Sequence, residues 1–367
     1  MKFSIEVLSA SHTKVLRPLM QASFGLAGNI MALDRGKITL LCKQDDKLLG
    51  AVVLGEITYH KNKKIGLVKY IFTAPEARGL GVASRLLDEA IHWFAVSKCT
   101  EVVACVEGYN TASSNLFIDR QFKQFSFIDQ VRKYQHALPK VWLLGNHFLD
   151  LGYFWWSKTL GDAAPEQPRK EHRKALAITV IIHTVLAIVL ALRYMPNGSL
   201  SLVWQAMVTI ALIFAIRFIP MKLYAHIKKY PLRYRPWETG IVLASLITLL
   251  FSGVFMAFGE YYPKKARWKE SQERRYLARI ALTGAVALII SSGVLLVIDG
   301  LYGSPNFFYE GFQLLIVYLP VLAVFDMVLA FFPINSYAGG RIRKVYPKTW
   351  ALLTIIAISV LIIAFII

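Results

Sequence analysis

One stretch of the chain combines a strand, a glycine-bearing turn and a helix in a way that suits anion binding. Residues 68–72 are β-branched or aromatic and predict a strand, and helical spacing of apolar residues begins at Ala83. Gly79 and Gly81 stand where the chain must turn, and without a Cβ atom they let a ligand approach the backbone. The first N–H groups of the helix and its dipole suit a pyrophosphate, and Arg78 adds a positive charge.

This turn and a second stretch together resemble a known pair of motifs. Arg78-x-x-Gly81-x-Ala83 resembles the R/Q-x-x-G-x-G/A signature of the GNAT N-acetyltransferase superfamily. Further along, the run from Asn110 to Phe122, N-x-x-S-x-x-L-F-x-x-x-x-F, is similar to the family's N-x-x-A-x-x-L-Y-x-K-x-G-F helix. The resemblance covers residues 1–135 and implies an acetyl-CoA-binding α/β domain with a mixed central sheet and helices on both faces.

The elements predicted from the residue pattern agree with that fold. Strands are predicted at 2–7, 38–43, 48–57, 68–72 and 101–107, and helices at 12–24 and 111–121. A turn at Asp45 and Asp46 would join two of the strands as a hairpin. We therefore place a GNAT-like domain at 1–140.

The resemblance also implies which residues contact the cosubstrate. They are Ile71, Phe72, Arg78, Gly79, Leu80, Gly81, Val82, Ala83, Ser84, Asn110, Ser113 and Phe117. A backbone N–H near Phe72 would polarise the thioester carbonyl in the manner of an oxyanion hole. Asn110 would hold the pantetheine arm or the sulfur.

The chain departs from the family pattern where the general acid is expected. Phe117 stands in place of the family's tyrosine and has no proton to give. Tyr109 could substitute, or the CoA thiolate could leave unassisted. Glu56 and Glu107 are the candidate general bases, because partial burial raises the pKa of a carboxylate toward neutrality. For each of them, a solvated carboxylate at a strand end is the alternative interpretation.

The composition indicates a membrane protein. Of the 367 residues 56% are hydrophobic, and the excess lies beyond residue 175. Apolar segments occupy 175–192, 200–219, 239–258, 277–298, 312–332 and 350–367. Each approaches the ~20 residues that cross a bilayer core. The formal charge is +19, and Lys and Arg cluster in short stretches between these segments, which favours cytoplasmic loops over a nucleic-acid site.

The distribution of basic residues suggests that one segment does not cross. If all six crossed, the basic loops at 264–275 and 341–348 would lie outside, against the positive-inside rule. A re-entrant or embedded segment at 239–258 removes both conflicts. We expect five crossings in the cell membrane, with the N-terminal domain in the cytoplasm and no signal peptide before it.

The segment 141–174 is predicted to connect the two halves. Residues 141–160 are rich in Trp, Tyr and Phe, which favour a membrane interface, although a helix contacting the membrane domain is an alternative. Residues 162–174 form a linker that contains proline and charged residues.

The membrane half, 175–367, resembles a site-2 protease of the M50 family in three stretches, 225–240, 279–284 and 330–339. Its metal-binding positions are altered. Arg217 to Met221 stands where the family has H-E-x-x-H, and Ala338 and Ala330 stand at its aspartate and asparagine positions. Because zinc hydrolysis needs such ligands and a base, the resemblance implies a pseudo-protease that holds no metal.

The cysteines and histidines give no metal site. Cys42, Cys99 and Cys105 have no metal-ligand spacing and are expected to be buried reduced thiols. His183, in the first apolar segment, is expected to make a helix–helix hydrogen bond rather than to bind a metal.

Two functions follow from these observations. The first is a membrane-anchored N-acetyltransferase that uses acetyl-CoA and acts on an amine of a membrane protein, a lipid or a small molecule. The second is an inactive CoA-sensing or scaffolding protein, suggested by Phe117 and the missing zinc ligands. An active protease regulated by the GNAT-like domain is a third hypothesis, which the altered ligand positions exclude.

Overall fold

A computed structural model of the chain describes residues 3–8, 16–24, 36–60, 63–145, 153–161, 174–194, 200–329 and 337–366. It divides into two units, Met1–Lys170 and Glu171–Ile367. Each unit is described by itself.

The first unit is built on a seven-stranded sheet with the order β1-β2-β3-β4-β5-β7-β6. The strands are β1 (Ser4–Leu8), β2 (Ile38–Gln44), β3 (Lys47–His60), β4 (Lys63–Thr73), β5 (Glu101–Glu107), β6 (Lys123–Phe125) and β7 (Tyr153–Thr159). All neighbouring strands are antiparallel except β4 and β5, which are parallel. The predicted hairpin is present, and Asp45 and Asp46 both have positive φ, as its tight turn requires.

Helices cover both faces of this sheet. They are α1 (Leu16–Phe24), α2 (Val82–Val96), α3 (Thr111–Asp119), α4 (Phe127–Tyr134) and α5 (Leu138–Leu144). Leu16 and Met20 of α1 pack on Phe72 and its neighbours on one face. Leu86 of α2 and Phe117 of α3 belong to the core on the other face. The predicted α/β fold with helices on both faces is therefore confirmed.

Three aromatic residues of the predicted interfacial segment, Trp142, Trp155 and Trp156, are core residues of this unit, which corrects that prediction for the described part of the segment. Trp142 of α5 is 2% exposed, and its indole N–H donates to Gln130 Oε1 at 2.8 Å. Trp155 is fully buried in β7, which pairs with both β5 and β6. Residues 153–159 thus complete the sheet instead of connecting it to a membrane. Most of the predicted linker at 162–174 lies outside the described residues.

The second unit is mainly helical. Its helices are α6 (Ala175–Tyr194), α7 (Leu200–Ile227), α8 (Glu238–Phe251), α9 (Glu270–Tyr302), α10 (Tyr309–Val328), α11 (Gly339–Val345) and α12 (Pro347–Ile366), and its strands are β8 (Leu232–Arg235) and β9 (Glu260–Pro263). Among the described residues, five helices are long and apolar enough to cross a membrane. They are α6, α7, α9, α10 and α12.

The segment predicted to be embedded has a short helix followed by irregular chain. Helix α8 has 14 residues. At 1.5 Å per residue it spans about 21 Å, less than a hydrocarbon core of ~30 Å. Residues 252–259 then continue without regular structure to β9. Ala257 and Phe258 have no exposed surface, so protein covers this backbone, as irregular chain at membrane depth requires.

Side chains from other elements satisfy that irregular backbone. The Ala257 N–H donates to His183 Nε2 at 3.1 Å, and the Nδ1 of the same ring contacts the Thr179 carbonyl at 2.8 Å. The Tyr337 hydroxyl donates to the Met256 carbonyl at 3.2 Å. His183 therefore bonds α6 to irregular chain, which corrects the predicted helix–helix hydrogen bond.

Candidate active site

The parallel strands β4 and β5 separate partway along their length. They pair from Ile65 with Glu101 to Val68 with Ala104. Beyond that point β4 continues to Thr73 and β5 to Glu107 without pairing to each other. The register of β4 against β3 also shifts at this level, leaving Lys69 as the extra residue of a β-bulge. The result is an opening in the sheet between the carboxyl ends of two strands.

Two backbone N–H groups of β4 point into this opening. The Ala74 N–H donates to the Leu49 carbonyl in the direction of β3 at 2.8 Å. Because successive N–H groups of a strand point to opposite sides, that of Phe72 also points toward β3. The N–H groups of Ile71 and Thr73 then face the opening. The predicted oxyanion donor near Phe72 is therefore best assigned to these two flanking residues.

The glycine turn lies at the same edge of the sheet. Gly79 and Gly81 have φ of 82° and 83°, and a Cβ atom built on either would meet nothing within 4 Å. The two positions thus need glycine for their left-handed backbone, while the space around them stays open. Arg78 and Leu80 are exposed beside them.

Helix α2 begins directly after this turn without a side-chain cap. Among the described residues, no acceptor bonds to the N–H groups of Gly81, Val82, Ala83 or Ser84. Four unused donors, the helix dipole and the Arg78 guanidinium together form a site for an anionic group such as a pyrophosphate.

Arg120 fixes the start of α2 and neutralises the carboxylate nearest to it. Its Nη2 donates to the Ser84 carbonyl at 2.9 Å, and its Nε donates to Asp88 Oδ1 at 2.6 Å. The pairing removes a negative charge one helical turn beyond the uncapped N–H groups. This role was not predictable from the sequence, because Arg120, just after α3, and Asp88 of α2 are 32 residues apart.

The second predicted motif reaches the same edge from β5. Since β4 and β5 are parallel, the helices that follow them start on the same side of the sheet. The turn after β5 is held by the Glu107 carboxylate, whose Oε1 accepts the Tyr109 N–H at 2.9 Å. The Asn110 Oδ1 then caps α3 by accepting the Ser113 N–H at 3.1 Å. This cap fixes the positions of Asn110 and Ser113 beside the opening.

Phe117 lies deeper than its motif position suggests. It is 2% exposed and contacts Phe122 edge-to-face, with ring centroids 4.9 Å apart. Its ring belongs to the hydrophobic core under α3. Where the family has a tyrosine hydroxyl, this chain has an apolar ring that packs in the core. Tyr109, at the head of the same helix, remains the candidate acid.

The two candidate bases lie at opposite ends of the sheet. Ala51 of β3 faces Phe72, whereas Glu56 faces Gly66. The five-residue offset places Glu56 roughly 16 Å along the strand from the level of Phe72. Its carboxylate is 8% exposed, is ion-paired with Lys37, and lies 4.0 Å from Lys64. The structure thus brings Glu107 and Tyr109 to the opening but not Glu56.

Arg217, one of the positions compared with protease metal ligands, belongs to a cluster of charged side chains in the second unit. Arg217 Nη2 lies 2.8 Å from Asp326 Oδ1 and 3.3 Å from Glu260 Oε2, and the Ala338 N–H donates to the same Asp326 oxygen at 2.9 Å. Two of the compared positions, Arg217 and Ala338, therefore lie side by side. Ala330 is outside the described residues. The resemblance to site-2 proteases stays a prediction.

Comparisons with known proteins concern the first unit. Residues 9–122 match the sequence model of the Acetyltransferase (GNAT) family. No curated protein sequence matches the chain. The family match agrees with the sheet described above, and the first unit has the GNAT fold.

Among solved structures, the chain is similar to several acetyltransferases at low identity. An IAA acetyltransferase from Bacillus cereus is 16% identical, with 43% of this chain and 100% of that chain covered and a TM-score of 0.32. A GNAT family acetyltransferase from Elizabethkingia anophelis with acetyl-CoA bound is 17% identical, with 43% and 98% covered and a TM-score of 0.31. Naa50 from Arabidopsis thaliana is 14% identical, with 44% and 100% covered and a TM-score of 0.32.

Proposed function

We propose that the protein is a membrane-anchored N-acetyltransferase that transfers an acetyl group from acetyl-CoA to an amine on the cytosolic side. One observation carries the proposal: the uncapped start of α2, with its two left-handed glycines, lies at the open end of the split between β4 and β5. A single ligand with a pyrophosphate and an extended arm would use both features. The match of residues 9–122 to the GNAT family supports the same activity.

The residues at the opening suit each part of the reaction. The N–H groups from Gly81 to Ser84, with Arg78, would bind the pyrophosphate. The N–H groups of Ile71 and Thr73 would stabilise negative charge on the thioester oxygen as the amine nitrogen attacks the carbonyl carbon. The carbon–sulfur bond then breaks and the thiolate leaves.

Proton transfer is assigned to the turn after β5. Glu107 would take the proton from the attacking amine, and Tyr109 would supply one to the departing sulfur. Glu107 is half-buried at the end of β5, and Tyr109 follows it two positions later. Both roles depend on the turn after β5, which the hydrogen bond from the Tyr109 N–H to the Glu107 carboxylate holds in place.

The membrane attachment and its orientation belong to the same proposal. Five helices of the second unit are long and apolar enough to cross a bilayer. Basic residues cluster between them in segments such as 264–275. Lys and Arg favour the cytosolic side of a membrane, where acetyl-CoA is available, so we place those segments in the cytosol. The acceptor would be an amine that reaches a membrane-attached enzyme: on a membrane protein, a lipid or a small molecule.

The second candidate function is an inactive CoA-binding sensor or scaffold, in which the pseudo-protease half presents a partner. Phe117 favours it, since a buried ring replaces the family's usual acid. Both functions require CoA binding, and they differ in whether acetyl-CoA is consumed.

Calorimetric titration of acetyl-CoA into the full chain in lipid nanodiscs tests the site. The parent should bind, and an Arg78→Glu, Gly81→Glu variant should lose binding, because each change places a carboxylate against the phosphates. Arg132→Glu, the same charge reversal as Arg78→Glu at an exposed position of α4, is the control and should bind like the parent.

The outcomes separate the hypotheses. A folded parent that does not bind acetyl-CoA contradicts both functions. Binding with release of free CoA thiol in the presence of peptide and small-molecule amines supports the transferase. Binding without turnover across those amines supports the sensor.

A further inference from the structure

The second unit contains a cavity of about 590 Å³ among α6, α7, α10 and the irregular residues 252–256. Its size falls within the ~300–1,000 Å³ that is typical of small-molecule sites. The cavity does not involve the acetyl-CoA site, and its interpretation is independent of the proposed transferase activity.

Small side chains keep the cavity open. Ala187 and Ala191 of α6 and Ala206 of α7 line it where larger side chains would fill the space. The space is partly open at the surface of the unit, so a ligand can reach it. The remaining walls include Ile210, Ile213 and Leu314, which suit an apolar body.

Most polar groups in the walls are engaged within the protein. Thr209 Oγ1 donates to the Gly311 carbonyl at 3.3 Å. The Gln313 amide donates to Ser304 Oγ at 2.6 Å. Thr209 thus joins α7 to the start of α10, and Gln313 bonds to the turn before α10. Neither group needs a hydrogen bond from a ligand.

The Glu310 carboxylate is the exception. It lines the cavity from the first turn of α10, and among the described residues it forms no hydrogen bond or ion pair. Of the lining residues that the structure describes, it is the one carboxylate in this mostly apolar space. Tyr309 and Tyr318 also line it, and tyrosine rings can attract a cation.

We propose that this cavity binds a lipophilic amine, a molecule with an apolar body and one protonated nitrogen that pairs with Glu310. The apolar body occupies the space bordered by the alanines of α6 and α7. An uncharged hydrocarbon chain would fill the same space without using the carboxylate, and the experiment distinguishes the two.

The test uses the full chain in phosphatidylcholine nanodiscs and two fluorescent probes. One is dodecylamine with a dansyl group at the far end of the chain, and the other is the matching dodecyl alcohol. Energy transfer from the protein's tryptophans measures binding. The parent should bind the amine roughly tenfold or more tightly than the alcohol, as expected for a charge-assisted hydrogen bond.

Two pairs of variants locate the site. Glu310→Gln should abolish the preference for the amine, whereas Glu310→Asp, which keeps the charge, should retain most of it. Ala187→Trp should fill the cavity and weaken both probes. Val185→Trp is its control, since Val185 is 52% exposed on the same helix and does not line the cavity. Unchanged unfolding temperatures would show that each variant folds.

Three results would overturn the proposal. Equal affinity for amine and alcohol in the parent, or a preference that survives Glu310→Gln, would show that Glu310 selects no cation. If Ala187→Trp binds both probes as tightly as the parent does, the probes bind elsewhere.

Discussion

Arg217 of α7 and Asp326 of α10 form an ion pair at 2.8 Å in which neither residue has any exposed surface. Glu260 of β9 adds a second carboxylate, which also pairs with Arg341 of α11. Two positive and two negative charges thus join four elements of the second unit. The Arg217 guanidinium also lies 4.9 Å from the centroid of the Phe218 ring.

We predict that Asp326→Ala strongly destabilises the second unit. Removing one partner leaves the Arg217 charge buried without its nearest counter-ion, which costs about 3–5 kcal/mol. Denaturation in mixed micelles followed by circular dichroism measures the loss. Glu270→Gln, which removes a surface pair with Arg274, is the control and should cost about 1 kcal/mol or less. An equal loss in the two variants would contradict the prediction.

A paired replacement should behave differently from the single one. Arg217→Met combined with Asp326→Leu removes both charges and replaces them with apolar groups. Such replacements are often neutral or stabilising, so the double variant should be more stable than Asp326→Ala. A double variant that is less stable would show that the cluster acts as a larger unit than this pair.

Glu107→Gln should slow acetyl transfer while leaving acetyl-CoA binding intact. A positioned general base contributes about 10²–10⁴ in rate, so we expect kcat to fall by at least about a hundredfold. The measurement is release of free CoA thiol with an amine that the parent accepts. Glu56→Gln, roughly 16 Å along β3 from the level of Phe72, should turn over like the parent. The opposite ranking of the two variants would refute the assignment.

A fragment ending at residue 140 should not fold, whereas one ending at residue 161 should. The shorter fragment lacks β7, and with it Trp155, which is fully buried between the neighbours of that strand. Losing a buried tryptophan costs about 3–5 kcal/mol on its own, a large part of a domain's stability. Dispersion of amide signals in NMR spectra distinguishes the two fragments. A well-dispersed spectrum from the shorter fragment would contradict the strand assignment.

Cys99 should react slowly with alkylating agents at ordinary pH. Burial, followed by the nearby Glu56 charge, raises the pKa of its thiol to about 11, and the residue is 6% exposed. Only the thiolate attacks, so reactivity should still be rising at pH 10. The rate of iodoacetamide alkylation in a Cys42→Ala, Cys105→Ala variant measures this. The same variant in guanidinium chloride should level off near the ordinary thiol pKa, and a native profile that levels off with it would contradict the prediction.

Local patterns were sufficient to predict the glycine turn and the helix that follows it. The glycines at 79 and 81, the preceding strand and the following helix are neighbours in sequence, so their types and spacing define the turn. The hairpin at Asp45 and Asp46 was predictable for the same reason. The five helices that can cross a membrane follow from length and composition.

Features set by strand register and long-range packing were not predictable in this way. Alternation places Glu56 on a strand, but only the pairing with β4 shows that it lies opposite Gly66, five residues along β3 from the level of Phe72. Tyr153–Thr159 was assigned to an interface because Trp and Tyr favour both buried strands and bilayer surfaces. The ion pair of Arg217 with Asp326 joins distant parts of the sequence, and no local pattern indicates it.

The position of β7 has a consequence during synthesis of the chain. Strand β6 pairs with β7 and is made before it, and β7 also covers the side of β5 that faces away from β4. A nascent chain that ends before Tyr153 therefore exposes the hydrogen-bonding edge of β5, a surface prone to pairing with other chains. Pausing of the ribosome before β7 has emerged would accordingly increase aggregation or chaperone capture. Once the seven residues Tyr153–Thr159 have left the ribosome, they cover the edge of β5.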